Sequence, residues 1–279
     1  MADYGYDPLV VLQHGRNGAT PLLCIAGAGA SVSGFFELAG NLPEDLPLLG
    51  LQARGLDGVK DPFSSVEAAA RVYFDAVREM WPGGPYRILG HSFGGWIAFE
   101  LAGLLRTAGC QVDALFLVDS EAPYDRGSTA RQIGRLEALE QLVGLYNLLL
   151  ASRLRITRED FEGLDERAQI ARLEQELMRA GLLPRNAPRG SLEGVVTVFE
   201  ANVRTTYHGS RSFDGPVWLV NAAETGGDVD ARVSGWRRTA AKVCCATVPG
   251  NHVTMLLGEN AANLAEWVTR KLESCSAKA

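Results

Sequence analysis

An α/β fold, with a mostly parallel central sheet flanked by helices, is what this sequence predicts, and three observations carry the reading. Short apolar runs stop abruptly at glycines or polar loops, amphipathic stretches of helical spacing lie between them, and one long block, residues 124–207, is helical in pattern with no strand in it. Strands that alternate with helices imply a parallel sheet, because each crossover lays a helix on the sheet and covers its face. At 279 residues the length suits a single unit over 1–279, with residues 124–207 as a helical insertion inside it.

The elements follow in order. Pro21-Leu22-Leu23-Cys24-Ile25-Ala26 breaks into Gly27-Ala28-Gly29-Ala30, the pattern of a buried strand ending in a tight loop, and a helix is expected through Phe35, Phe36 and Leu38. Leu48 to Gln52 reads as a second strand, stopped by Gly55 and Gly58. Asp61-Pro62-Phe63-Ser64-Ser65 offers a helix start ahead of Val66 to Trp81, which Pro82-Gly83-Gly84-Pro85 ends. Tyr86 to Gly90 is a third strand, Trp96 to Ala108 is apolar at helical spacing, and Asp113 to Val118 is a fourth strand with Asp119-Ser120 at its end. In the insertion, Ile133, Leu136, Leu139, Leu142 and Val143 keep helical spacing, and further amphipathic stretches run over 159–180 and 191–206. Strands resume at Pro216 to Val220 and Val243 to Val248, and a helix over 261–273 closes the chain.

Composition narrows the class. With 47% hydrophobic and 22% charged residues the chain has the make-up of a globular protein. A formal charge of −6 gives no reason to expect nucleic acid or an anionic membrane surface as a partner. No leader-like segment and no bilayer-length apolar run occur, and the five cysteines suit neither a zinc site nor a Cys-x-x-Cys redox pair. These features predict a cytoplasmic protein with reduced thiols and no metal.

Gly90-His91-Ser92-Phe93-Gly94 has the Gly-x-Ser-x-Gly pattern between a strand and a helix, which is the nucleophile elbow of the α/β-hydrolase fold. The turn is so sharp that small residues must flank it, and it exposes the Ser92 hydroxyl at the N-terminus of the following helix. A serine hydroxyl is a weak nucleophile near neutral pH, so it needs a histidine base, and the base needs a carboxylate. Of four histidines, His252 follows the last strand in Pro249-Gly250-Asn251-His252 and is the expected base, with His208 as the other candidate. His14 precedes the sheet, and His91 adjoins the serine and should point away from its hydroxyl. The acid is open between Asp119, after one strand, and Asp228 or Asp230, after the next. Backbone N–H groups of Phe93 and Ala28 are the candidates for an oxyanion hole.

Several stretches together resemble a particular family, the thioesterase domains that end nonribosomal peptide synthetases and modular polyketide synthases. They are Leu51-Gln52-Ala53-Arg54-Gly55-Leu56-Asp57-Gly58, the block Gly84 to Gly95, Ala98-Phe99-Glu100-Leu101-Ala102, Leu115 to Pro123, and Gly250-Asn251-His252 with Met255-Leu256. The resemblance implies that Asp119 is the triad acid and that residues near Ala28 donate to the oxyanion. Two departures stand out: Ala26-Gly27-Ala28-Gly29 lacks the proline often found in that loop, and Asn251 replaces the acidic residue common before the histidine.

The same resemblance implies a substrate delivered as a thioester on the phosphopantetheine arm of a carrier protein, with no cofactor held by the chain itself. Ser92 would take over the acyl chain, and release would follow by hydrolysis or by cyclisation to a macrolactone or macrolactam. The helical insertion would then be a lid, and Arg126, Arg131, Arg135, Arg153, Arg155 and Arg158 either offer positive charge to an acidic carrier or form solvated helix faces. A free-standing editing thioesterase or a carboxylesterase of the same fold is the alternative. The Gly84 to Gly95 block argues against an ordinary esterase, and intact Ser92, Asp119 and His252 argue against a binding protein without catalysis.

Overall fold

A computed structural model describes residues 5–123, 133–150, 154–209, 213–226 and 228–276. The first half contains β1 (Leu9–Gln13), β2 (Leu22–Ile25), α1 (Phe36–Ala39), β3 (Leu48–Leu51), α2 (Val66–Met80), β4 (Tyr86–His91), α3 (Gly94–Thr107) and β5 (Val112–Val118). Three helices follow, α4 (Arg135–Asn147), α5 (Glu166–Ala180) and α6 (Glu193–Arg204). The chain then returns to the sheet with β6 (Phe213–Ala222), α7 (Val229–Arg237), β7 (Ala240–Val248) and α8 (Gly258–Ser276).

Among the described residues these strands form one seven-stranded sheet in the order β1-β3-β2-β4-β5-β6-β7. The β1–β3 pair is antiparallel and the other pairings are parallel. This is the α/β-hydrolase arrangement that the alternating pattern predicts, with β1 added at the edge. Strand β1 is passed over in the sequence reading, although Leu9-Val10-Val11-Leu12 is a short apolar run of its own; in the fold it is a half-buried edge strand.

Burial explains why the strands read as unbroken apolar runs. Leu22 to Ile25 are each at most 1% exposed, because helices cover both faces of the sheet. Residues of α2, α3 and α7 pack on one face, and residues of α1 and α8 on the other. Helix α2 starts where Ser65 accepts a hydrogen bond from the Ala68 N–H at 3.0 Å, and its Val66, Ala69, Ala70, Tyr73 and Val77 turn inward at helical spacing.

Strand β3 lies on one side of β2 and β4 on the other, so the winding direction reverses there. In open α/β sheets such a reversal leaves a crevice at the carboxyl ends of the strands. Over that end lie α4, α5 and α6, which share an apolar core of their own built from Leu139, Leu142, Leu173, Leu177, Val196 and Phe199. The start of the insertion, residues 124–132, and Arg153 lie outside the described residues. Helix α5 begins at Glu166, later than the amphipathic pattern suggests, because a separate short 3-10 turn over Arg158–Asp160 occupies the start of that stretch. None of the helices among the described residues is long and apolar enough to cross a membrane.

The residues after Asp228 form an ordered helix, α7, over Val229–Arg237. Its Trp236 is fully buried, packs on Phe99 with ring centroids 5.2 Å apart, and donates its indole N–H to the Ser120 carbonyl at 3.0 Å. This bond ties α7 to the segment after β5. Trp236→Ala is expected to cost about 3–5 kcal/mol in urea unfolding, as for a large buried aromatic side chain. Trp236→Phe keeps the ring but leaves the Ser120 carbonyl without its donor, so its loss should be smaller, about 1–3 kcal/mol.

Candidate active site

Strand β4 ends at His91 and α3 begins at Gly94, which leaves Ser92 to turn the chain. Its φ is +55°, a left-handed conformation that non-glycine side chains rarely adopt. Backbone bonds hold it there: the Ser92 N–H donates to the Val118 carbonyl at 2.8 Å, and the Gly95 N–H donates to the Ser92 carbonyl at 2.9 Å. A Cβ on Gly90 would strike the Gly94 carbonyl, and one on Gly94 would strike the Ile25 and Ala26 carbonyls. The spacing of glycines around the serine therefore follows from packing density as well as from turn geometry.

Three side chains from distant parts of the sequence meet at the turn. His252 Nε2 lies 2.9 Å from Ser92 Oγ, and His252 Nδ1 lies 2.6 Å from Asp119 Oδ2. Asp119, immediately after β5, has a φ of +45°, a second left-handed non-glycine residue. Its Oδ2 also accepts from Thr225 Oγ1 at 2.9 Å, while Oδ1 accepts from the Ala222 N–H and from Arg232 Nη1, each at 3.1 Å. Burial alone would push the carboxyl up. Hydrogen bonds from His252 and Ala222, the imidazolium charge and Thr225 outweigh it and hold the group below its ordinary value.

The His252 loop is organised by its neighbours. Asn251 Oδ1 accepts from the N–H groups of Val253 and Thr254 at 3.0 and 2.9 Å, and Asn251 Nδ2 donates to the Leu148 carbonyl at 3.0 Å, just beyond α4. An ionised carboxylate at this position would have no proton to give that carbonyl, so Asn251 links the histidine loop to the inserted helices. His91 points away from the Ser92 hydroxyl and packs on the His252 ring, with centroids 4.9 Å apart. Its Nε2 is 2.8 Å from the His252 carbonyl and must donate, since a carbonyl only accepts. Burial, reinforced by the charge of His252, pushes His91 down to about 4, so it stays neutral near physiological pH.

Ser92 and His252 open onto a cavity of about 1020 Å³. Its walls include Trp96, Leu142, Leu145, Tyr146, Phe199 and Val203, so the sheet core supplies the reacting groups and shares the apolar wall with the inserted helices. Ala28 and Phe93, the two expected backbone donors, also line it. Next to Ala28, the Gly29 N–H donates to Asn202 Oδ1 of α6 at 3.2 Å. Among the described residues no group of three His, Cys, Asp or Glu side chains is placed to hold a metal.

The remaining candidates fall elsewhere. Asp228 caps α7 by accepting from the Ala231 N–H at 3.0 Å, Asp230 is exposed, and His14 and His208 are outside the cavity lining formed by the described residues. Of the arginines considered as a basic patch, Arg126, Arg131 and Arg153 lie outside the described residues. Arg135 is turned inward to Glu200 at 2.7 Å, and Arg158 pairs with Glu140 at 3.0 Å. Sequence reasoning missed Thr225, Asn202 and Arg232. For Arg232 a signal existed: Asp228 is a good helix cap, and Val229, Val233 and Trp236 at helical spacing put Arg232 on the inward side.

Comparison with known proteins places the chain among relatives. The family model described as Thioesterase domain matches residues 20–272. The chain is similar to the nonribosomal peptide synthetase btyA of Aspergillus terreus, with 32% identity over 60% of this chain and 18% of that protein. Among solved structures it resembles a four-domain nonribosomal peptide synthetase bound to AMP and glycine, with a TM-score of 0.83, 23% identity, and coverage of 94% of this chain and 20% of that one. It also resembles the NocB thioesterase domain in covalent complex with a fluorophosphonate nocardicin G analog, with a TM-score of 0.62, 25% identity, and coverage of 91% and 95%. The chain thus spans under a fifth of the length of btyA.

The held-down Asp119 carboxyl gives a pH signature in stability. The folded protein binds fewer protons there than the unfolded chain, whose carboxyl titrates near about 3.9, so its stabilisation is complete above that value and is lost as pH falls through the lower folded value. The stability deficit of Asp119→Asn relative to the native protein, measured by urea unfolding, should therefore shrink from about pH 5 towards about pH 3. A deficit that stays constant over that range would mean that the carboxylate is not held ionised.

Proposed function

The chain belongs to the thioesterase domain family and is an enzyme of the α/β-hydrolase fold, and from that premise we propose that it terminates acyl-chain assembly. In this reading Ser92 takes an acyl or peptidyl chain from the phosphopantetheine thioester of a carrier protein and releases it from the enzyme. One observation carries the proposal: the hydrogen-bonded line Ser92–His252–Asp119 lies at the base of a large apolar cavity.

The geometry suits each step. As Ser92 Oγ adds to the thioester carbonyl carbon, His252 Nε2 takes the hydroxyl proton, and Asp119 stabilises the resulting imidazolium through Nδ1. The carbonyl oxygen becomes an oxyanion, for which the N–H groups of Phe93 and Ala28 are the donors. Collapse breaks the carbon–sulfur bond, the departing sulfur takes the proton from His252, and the acyl chain remains as an ester on Ser92. His252 then removes a proton from the acceptor, which attacks that ester and returns Ser92 to its hydroxyl form. Water as acceptor gives a free acid. A hydroxyl or amine of the chain itself gives a macrolactone or macrolactam, favoured where the walls fold the chain and exclude water.

The walls from α4 and α6 support a lid role for the insertion, and their chemistry suits a largely apolar acyl chain. The likeness to synthetases supports a carrier protein as partner. No cofactor of the chain's own enters this reaction, because the phosphopantetheine arm arrives with the carrier. A cytoplasmic setting suits the free cysteines Cys24, Cys110, Cys244 and Cys245.

Incubation with an acyl-N-acetylcysteamine thioester, followed by intact-protein mass spectrometry, should show one acyl group, mapped to Ser92 and absent in Ser92→Ala. Asp119→Asn should slow acyl transfer by roughly 10⁴-fold, as expected when the imidazole loses its tautomer-fixing partner. Asp228→Asn should leave the rate near native, since its carboxylate serves as a helix cap. Turnover of simple p-nitrophenyl esters rivalling that of the thioester would favour a carboxylesterase instead.

A further inference from the structure

We propose that Arg232 is a positioning residue for this reaction, acting on Ser92 through Asp119 and His252: its buried guanidinium fixes the rear oxygen of Asp119 so that the other oxygen faces the imidazole. The proposal rests on the reading of Ser92, His252 and Asp119 given above. The Arg232 side chain is 5% exposed, and its Nη1 donates both to Asp119 Oδ1 at 3.1 Å and to Asn221 Oδ1 at 2.8 Å. Its Nε and Nη2 donate to Glu121 Oε1 at 2.9 and 2.5 Å. The guanidinium is therefore clamped between the carboxylate behind the histidine and a second carboxylate whose side chain is 67% exposed.

Stability alone does not account for such a cation, because removing a guanidinium from water is costly and a buried ion pair often gives no net stabilisation over apolar packing. What the arrangement does supply is direction. Asp119 sits in a left-handed backbone conformation, and its side chain is gripped on both oxygens, by Arg232 and the Ala222 N–H on one and by His252 and Thr225 on the other. Helix α7 is itself fixed to the adjoining segment, both by Trp236 on the Ser120 carbonyl and by Gly235, where a Cβ would come within 2.5 Å of the Ala122 side chain.

The same placement has an electrostatic consequence. A fixed cation behind Asp119 opposes the positive charge of a protonated His252, and Glu121 partly offsets that cation. The other groups around this cluster do not cancel the effect. His91, packed on His252, is neutral, and Cys245 on β7, pushed up by burial, is a thiol. Asp230 and Arg237 on α7 act near Cys245 with opposite signs.

The test is the second-order rate of Ser92 labelling by a fluorophosphonate probe as a function of pH, which needs no knowledge of the acyl substrate. Labelling requires a neutral His252, so the profile has an acid limb. Arg232→Met should lower the plateau and move the limb up by about one pH unit, because the imidazolium loses an opposing cation. Arg232→Lys restores the charge and should return the limb to its native position while the plateau stays low. Glu121→Gln, which leaves the guanidinium less compensated, should move the limb the other way. A purely structural role lowers the labelled fraction equally at every pH and moves no limb. An unmoved limb in Arg232→Met overturns the proposal, as does a Lys variant that matches the Met variant. Should Arg232→Met fail to fold, Glu121→Gln decides alone, and a limb that stays in place overturns it. Labelling of the native protein away from Ser92, or with no acid limb, would instead sink the underlying reading of Ser92 and His252.

Discussion

The tight backbone turn at Ser92 is the constraint on which the rest of the site depends. A left-handed conformation at a non-glycine residue costs roughly 1–3 kcal/mol and persists only where its surroundings leave no alternative. Here they leave none, since Ser92 is bonded to β5 through the Val118 carbonyl while Gly94 lies hard against the carbonyls that end β2. Three neighbouring strands are therefore locked in register at their carboxyl ends. Asp119 repeats the device one strand away, with its N–H held by the Val220 carbonyl of β6 at 2.6 Å. Two strained residues on adjacent parallel strands face the same crevice, and the loop after β7 needs only to lower His252 between them.

Charge in that crevice is handled by giving Asp119 and Arg232 several partners each. Asp119 and Asn221 are fully buried at their side chains or nearly so, a position that would cost several kcal/mol for a carboxylate left without hydrogen bonds. Four donors surround Asp119, and the arginine among them is held by two further acceptors. The result is a network in which no member can rotate without breaking a bond elsewhere. Such rigidity suits a group whose task is to stabilise charge that appears on its neighbour during the reaction, because a preorganised environment need not rearrange at that moment.

The parts legible in the sequence were those set by local chemistry. The runs at Leu22 to Ile25 and Leu115 to Val118 announce buried strands because covering both faces removes any alternation. The glycines around Ser92 announce a turn because packing forbids a side chain there. His252 was marked by its place after the last strand, whereas chain order left Asp119 and Asp228 alike and only the family resemblance favoured Asp119, which is the one the fold sets beside His252. That difference is one of distance in space: Asp228 bonds three residues ahead, and Asp119 bonds a residue 133 positions away. Thr225 and Asn202 were missed because each bonds a partner that no periodicity relates to it, Thr225 the Asp119 carboxylate and Asn202 of α6 the Gly29 N–H, whereas for Arg232 the inward placing was legible and only its partner was not. The edge strand β1 did leave a signal, the run Leu9-Val10-Val11-Leu12, but its antiparallel pairing with β3 depends on where Leu48–Leu51 lies and is not written in that run.

The inserted helices are bound to the site more closely than a loose cover would be. A Cβ on Gly194 would collide with the Leu56 carbonyl, and one on Gly29 would come within 2.7 Å of Phe199, so α6 touches the loops after β2 and β3 at backbone distance. Helix α4 is joined to α6 by Arg135 and Glu200, and its far end reaches the histidine loop through Asn251. Asn202 of α6 bonds to Gly29, the residue beside Ala28, so the helix that shapes the acyl wall also steadies the loop expected to hold the oxyanion. Under the proposed reaction, the shape of the cavity and the placing of the Ala28 N–H would thereby be coupled through one hydrogen bond. A change in α6 that reshapes the wall therefore also acts on the loop that carries Gly29, and a change in α4 acts on the core it shares with α6, since Leu142 belongs to both the cavity wall and that core.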